Sequence, residues 1–142
     1  MLLIENVLSR GQVKATAGRD TRTVSCDGVL DLKVTRPRAL GGTNGRGTSP
    51  EHLFAASYAA CFLGMMRLVA EHEGIALPTD TAVEVSVAVG PTPRGFGVEV
   101  ELRISLPGLP RAESDLLVEK SDALSPYANA TRNNISVRLV LA

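Results

Sequence analysis

The chain has 142 residues, a hydrophobic fraction of 44%, and 15 basic side chains against 15 acidic ones. That size fits one domain, residues 1–142, with an ordinary core and no need of disulfide staples. Balanced charge, no Trp and few aromatics leave neither a basic nucleic-acid or anionic-membrane footprint nor a base-stacking platform. Residues 1–6 are too short an apolar stretch for a signal peptide and lack a leading positive charge. The longest apolar run, 53–66, is interrupted at Ser57 and Tyr58 and is short for a bilayer span. Two cysteines, Cys26 and Cys61, make no secreted disulfide framework. The expectation is a soluble cytoplasmic protein with reduced thiols.

In chain order, residues 14–17 and 21–26 read as strands around the turn Gly18-Arg19-Asp20. Residues 29–34 follow the turn Cys26-Asp27-Gly28, giving an antiparallel meander. Residues 36–48 form a glycine-rich loop without the Gly-Lys-Ser/Thr ending of a phosphate loop, and its glycines suggest a flexible lid or a plain connector. Ser49 suits an N-cap and Pro50 the first helical position. The helix runs to Glu73 and stops at Gly74. Being apolar nearly all round, it reads as buried on most sides. Two long alternating strands, 81–89 and 95–106, flank a turn at residues 91–95. A second helix spans 111–124 and ends before Pro126. Residues 134–140 close the chain as a strand. The order βββ-α-ββ-α-β is that of an α+β protein.

The informative residue is Cys61, in the middle of the apolar helix with small residues on both sides. Free cysteine commonly packs as a small hydrophobe, so an inert structural thiol is one reading. The other is a reactive thiol in an apolar pocket. That reading needs a cation, because burial disfavours a thiolate and a neighbouring guanidinium favours it. Arg19, Arg46, Arg67 and Arg132 are candidates, each with the bland alternative of a solvated surface charge. Glu51 suits the positive end of the helix dipole whatever else it does. Cys26, at a turn, reads as a bystander. His52 and His72 lack the companions of a metal site. Phe54, Phe62, Met65 and Met66 form either an apolar wall beside Cys61 or plain core.

Spacing does not choose among the arginines. Residues 49–64, Ser-Pro-Glu-His-Leu-Phe-Ala-Ala-Ser-Tyr-Ala-Ala-Cys-Phe-Leu-Gly, resemble the active-site helix of the organic hydroperoxide resistance (Ohr) proteins of the OsmC/Ohr superfamily. Residues 15–20 (Ala-Thr-Ala-Gly-Arg-Asp), 27–33 (Asp-Gly-Val-Leu-Asp-Leu-Lys) and 126–135 (Pro-Tyr-Ala-Asn-Ala-Thr-Arg-Asn-Asn-Ile) fit the same family in order. The resemblance implies an OsmC-like fold: antiparallel sheets, a long buried central helix, a second helix and an intertwined homodimer. It implies a cysteine-based peroxidase of oxidative-stress defence that reduces alkyl and fatty-acid hydroperoxides to alcohols through a sulfenic acid. No metal, haem or flavin takes part, and re-reduction is by a dithiol, commonly on lipoylated proteins. Cys61 matches the peroxide-attacking cysteine, Arg19 its activating arginine, and Glu51 the acid that holds the arginine. One position departs. Ser125 stands where the family has its resolving cysteine, which fits either a one-cysteine variant or an engineered trap and puts turnover in doubt. The alternatives are an OsmC-like module that binds an apolar small molecule beside a mostly inert thiol, and a purely packing role for Cys61.

Overall fold

The computed structural model describes residues 1–18, 20–43 and 45–142. The chain divides into two compact units, Met1–Leu53 and Phe54–Ala142. The first carries a three-stranded antiparallel sheet, β1 (Val13–Thr16), β2 (Arg22–Ser25) and β3 (Asp31–Lys33), in that order. Arg22–Asp31 at 2.6 Å and Lys33–Asp20 at 3.3 Å brace it. The glycine-rich loop after β3 contains a 3-10 turn at Arg38–Leu40. Its neck is closed by Thr35 N–H to the Thr48 carbonyl (2.7 Å) and Thr48 N–H to the Lys33 carbonyl (2.9 Å). Two of its glycines serve close packing rather than freedom. A Cβ on Gly42 would lie 1.8 Å from the Arg36 carbonyl oxygen, and one on Gly47 (φ 151°) would lie 2.7 Å from that of Lys33.

α1 spans Pro50–Glu73. Ser49 Oγ accepts the His52 N–H at 3.1 Å, an N-cap, and Gly74 (φ 67°) ends the helix in the left-handed region. At 24 residues α1 is long and apolar enough to cross a membrane by length and composition alone. The shorter span read from the sequence stopped at Met66, whereas the helix continues through Leu68, Val69 and Ala70. Its apolarity has a use inside the second unit: Tyr58, Phe62, Met66, Val69 and Ala70, at i, i+4, i+8 and i+11/12, form a buried stripe. The other apolar residues of α1 are half-buried or exposed within the chain.

The second unit is built on β4 (Ala82–Thr92), β5 (Gly95–Ser105) and β6 (Val137–Leu141), with α2 (Arg111–Leu124) and α3 (Pro126–Thr131) between β5 and β6. β4 and β5 form a hairpin with Val85 opposite Leu102. Val100, Leu102 and Ile104 of β5 face the α1 stripe together with Leu117 and Val118 of α2 and Ala128 of α3. Glu99, Glu101 and Arg103 alternate with those core residues, and Glu101 meets Arg103 (2.8 Å) and Arg138 (3.5 Å).

Two features differ from the sequence expectation. β6 pairs with β5 in parallel, Leu102 opposite Leu139, rather than antiparallel. The helical connection through α2 and α3 explains it, because parallel neighbours need a crossover of a dozen or more residues. Pro126 also begins a helix besides ending one. Proline suits the first helical position, where no N–H is needed, so α3 starts immediately and is a third helix.

Candidate functional site

Cys61 is a free, half-buried thiol on α1. It lies one residue, or about 100° of helix turn, from Phe62 in the buried stripe. Its neighbours three and four positions away on α1 are Tyr58, Gly64, Ser57 and Met65. Ser57 spends its hydroxyl on the Phe54 carbonyl at 2.9 Å. A Cβ added at Gly64 would meet nothing within 4 Å, so there is space along this side of the helix.

Of the four residues read as an apolar wall, Phe62 and Met66 are fully buried core. Phe54 and Met65 are half-buried and remain available to line a pocket. Phe54 joins an aromatic cluster. Its ring lies 6.3 Å from Tyr58 and 6.3 Å from Tyr127, edge-on to the latter, and Tyr58 lies 5.6 Å from Tyr127. These separations suit edge-to-face and tilted aromatic contacts.

Ser125 occupies a corner. Its N–H bonds to the Ser121 carbonyl (2.8 Å) at the end of α2, and its carbonyl accepts the Asn129 N–H (2.9 Å) at the start of α3. Its extended backbone (φ −65°, ψ 125°) is what a following proline imposes. Serine at a helix start ordinarily turns its hydroxyl onto the backbone as a cap. Here no such bond forms. The side chain is fully buried, and Oγ has no hydrogen-bond partner among the described residues. A buried, unpaired hydroxyl costs about 1–3 kcal/mol. A thiol, which behaves as a small hydrophobe, would not incur that cost. Ser125→Cys is therefore expected to stabilise the reduced protein by about 1 kcal/mol or more. Urea unfolding with a reductant present measures this, and a lower midpoint for the variant would show that Oγ has a partner after all.

Tyr58 is buried, and its hydroxyl lies 3.3 Å from Thr131 Oγ1. Burial pushes its phenol pKa up, while the Thr131 hydrogen bond acts the other way. The phenol therefore stays protonated near neutrality.

The remaining sequence candidates distribute as follows. Glu51 sits in the first turn of α1, ten residues before Cys61 on the same continuous helix. Arg19 lies outside the described residues. Arg46 and Arg67 are exposed. Arg132 is engaged elsewhere: Nη1 donates to Asn129 Oδ1 at 2.5 Å, and Nη2 to the Asp122 carbonyl and carboxylate at 2.9 and 3.0 Å. Cys26 is exposed at the β2–β3 turn. Sequence reasoning missed Tyr58 and Thr131. The available signal was a tyrosine inside an apolar helix, since a buried phenol must find a partner.

An α+β frame with a half-buried thiol on a long apolar helix agrees with what comparison finds. A family described as OsmC-like protein matches residues 42–140, which take in α1 and nearly all of the second unit. The organic hydroperoxide resistance protein of Xanthomonas axonopodis pv. citri (strain 306) is 51% identical over 138 residues, 97% of each chain. OhrA of Bacillus subtilis (strain 168) is 36% identical, covering 92% of this chain and 93% of its own. The crystal structure of an organic hydroperoxide resistance protein from Elizabethkingia anophelis superposes with a TM-score of 0.89 at 40% identity, covering 96% of this chain and 97% of the other. The chain belongs to the OsmC/Ohr superfamily and, within it, to the organic hydroperoxide resistance (Ohr) proteins.

Proposed function

We propose that the protein is a thiol-dependent peroxidase that reduces organic hydroperoxides to alcohols and so confers resistance to them. The observation that carries this reading is Cys61, a free and half-buried thiol on an apolar helix, in a chain 51% identical over 138 residues to an organic hydroperoxide resistance protein. The Cys61 thiolate attacks the distal peroxide oxygen, the O–O bond breaks, and the alcohol leaves with a proton. Cys61 is left as a sulfenic acid. Arg19 stabilises the thiolate, and Glu51 holds Arg19. The half-buried Phe54 and Met65 offer apolar surface to an alkyl chain. With Ser125 in place of a second thiol, re-reduction falls to an external dithiol, of which a lipoylated protein is the proposed kind. The working form is a cytoplasmic homodimer.

Intact-protein mass spectrometry after one equivalent of cumene hydroperoxide tests the first step. The expected product carries one added oxygen on Cys61, trapped by a sulfenic-acid reagent. Cys61→Ser removes it, and Cys26→Ser leaves it. Arg19→Ala is expected to slow oxidation at neutral pH by roughly 10- to 1000-fold, because the thiolate loses the cation that favours it. An unchanged rate in Arg19→Ala removes Arg19 from the mechanism.

A second reading draws on the same corner. The Ser125 hydroxyl is unpaired among the described residues, at the position that the family resemblance assigns to a resolving cysteine, which suits a non-enzymatic module that holds an apolar small molecule beside an inert Cys61. A crystal structure of an organic hydroperoxide resistance protein from Vibrio cholerae, 33% identical with a TM-score of 0.87 and covering 96% of this chain and 94% of the other, has captopril bound in one of its active sites. Failure of Cys61 to oxidise in the experiment above would favour this reading.

A further inference from the structure

Hydrogen-bond direction inside the second unit can be worked out from chemistry. Thr131 Oγ1 lies 2.8 Å from the Tyr127 carbonyl oxygen and 3.3 Å from that of Ala128. A carbonyl only accepts, and a hydroxyl has one hydrogen to give. The Thr131 proton is therefore committed to the backbone of α3. The Tyr58 hydroxyl, 3.3 Å from Thr131 Oγ1, must then be the donor in that pair. Donation runs in one direction, from Tyr58 on α1 to Thr131 and on to the Tyr127 carbonyl on α3. Both residues are buried, where a hydrogen bond is stronger than in water.

α3 also meets α1 through core packing, with Ala128 in the same buried cluster as Tyr58, Phe62 and Met66. On one side a cavity of about 220 Å³ opens, bounded by Tyr58, Ala128, Thr131, Ile135, Val137 and Leu139. At its far end Arg132 bonds Asp122, which ties α3 to α2 through a partly exposed ion pair of small worth. The aromatic contacts of Tyr127 with Phe54 and Tyr58 also link α3 to α1. They set proximity, but ring contacts tolerate sliding, whereas a directed hydrogen bond fixes register.

The geometry points to Tyr58 and Thr131 as positioning residues. Their hydrogen-bond chain holds the Ser125-Pro126-Tyr127 corner in register against the helix that carries Cys61, and so sets how a group at position 125 meets an oxidised Cys61. This rests on the peroxidase reading, in which position 125 faces Cys61.

An introduced thiol serves as the ruler. In Ser125→Cys with Cys26→Ser, one equivalent of cumene hydroperoxide first converts the Cys61 thiolate to a sulfenic acid with release of the alcohol. The introduced sulfur then attacks the Cys61 sulfur. The S–O bond breaks, the oxygen leaves as water with the thiol proton, and a disulfide remains. Quenched-flow mass spectrometry separates the two steps. Adding Tyr58→Phe or Thr131→Val is expected to leave Cys61 oxidation within about twofold of the parent. Disulfide closure should slow by about tenfold or more, as an ångström-scale misplacement does. Thr131→Ser keeps the hydroxyl and should restore closure. Closure at the parental rate in both variants overturns the inference, as does a first step that slows in proportion or a failed Thr131→Ser rescue. A parent that oxidises at Cys61 yet closes no disulfide overturns the placement of position 125 and the inference with it. A parent in which Cys61 does not oxidise sinks the peroxidase reading itself.

Discussion

Excess organic hydroperoxide is expected to carry Cys61 past the sulfenic acid to the sulfinic and sulfonic acids, with gains of two and then three oxygen atoms in the intact mass. A sulfenic acid persists only until a thiol condenses with it or more peroxide attacks it, and the later acids are irreversible apart from specialised repair. Condensation within the site requires a thiolate, because a serine hydroxyl at neutral pH is too weak a nucleophile toward sulfur. Position 125 supplies such a hydroxyl. It is buried and unpaired, so no neighbour among the described residues acts on it as a base. The exposed Cys26 is the other thiol of the chain. The experiment is therefore run in Cys26→Ser, so that a stray disulfide does not mask the result. In Ser125→Cys the same treatment should give a product lacking two hydrogens and protected from further oxidation. Adding a dithiol such as dihydrolipoamide together with the peroxide should protect the native Ser125 protein. If Cys61 stays at one added oxygen under a large excess of peroxide with no reductant, the sulfenic acid is shielded by something other than a second thiol.

Much of this arrangement was legible in the sequence, for local reasons. Ser49, Pro50 and Gly74 punctuate α1, and the structure uses Ser49 as the N-cap and Gly74 as the left-handed stop. The alternating valines of β4 and β5 mark a strand pair with one face inward, and their register follows. What escaped is non-local or ambiguous in period. The direction of β6 depends on the whole crossover, which includes an α3 beginning at Pro126, a residue that the sequence marks only as the end of α2. Phe62 and Met66 are core while Phe54 and Met65 are half-buried, and a helix apolar nearly all round does not say which of its faces turns inward. Tyr58 and Thr131 stand 73 positions apart, beyond any spacing rule. The glycines of the loop after β3 suggest freedom by composition, yet Gly42 and Gly47 are places where a neighbouring carbonyl leaves no room for a side chain.

Mixing an inactive variant with a slow one is expected to recover fast activity, and the reason lies in α1. Glu51 and Cys61 lie ten positions apart on one continuous helix. At 1.5 Å per residue they are about 15 Å apart along the axis, and the helix turns by about 280° net between them, so the side chains point differently. One arginine does not easily touch both in the same chain. If Glu51 acts at the Cys61 site, the simplest geometry brings α1 of a second subunit alongside, so that each site takes its cysteine from one chain and its acid from the other. α1 carries a surface suited to this. Ala56, Ala60 and Gly64, at i, i+4 and i+8, are exposed on the helix, and a Cβ on Gly64 would meet nothing within 4 Å beyond its own helix backbone. Small residues in such a row let two helix backbones approach closely, and the apolar residues around them would otherwise stay wet. Cys61→Ser subunits lack the thiol and Glu51→Ala subunits lack the acid. After subunit exchange a heterodimer holds one site with both defects and one with neither. Random pairing makes half the dimers heterodimers, so about a quarter of the wild-type sites should reappear, measured as the amplitude of fast Cys61 oxidation. Gly64→Met should weaken the dimer without unfolding the chain, which sedimentation at decreasing concentration would read. A stable monomer in solution, or a mixture no faster than Glu51→Ala alone despite proven exchange, defeats the shared-site arrangement.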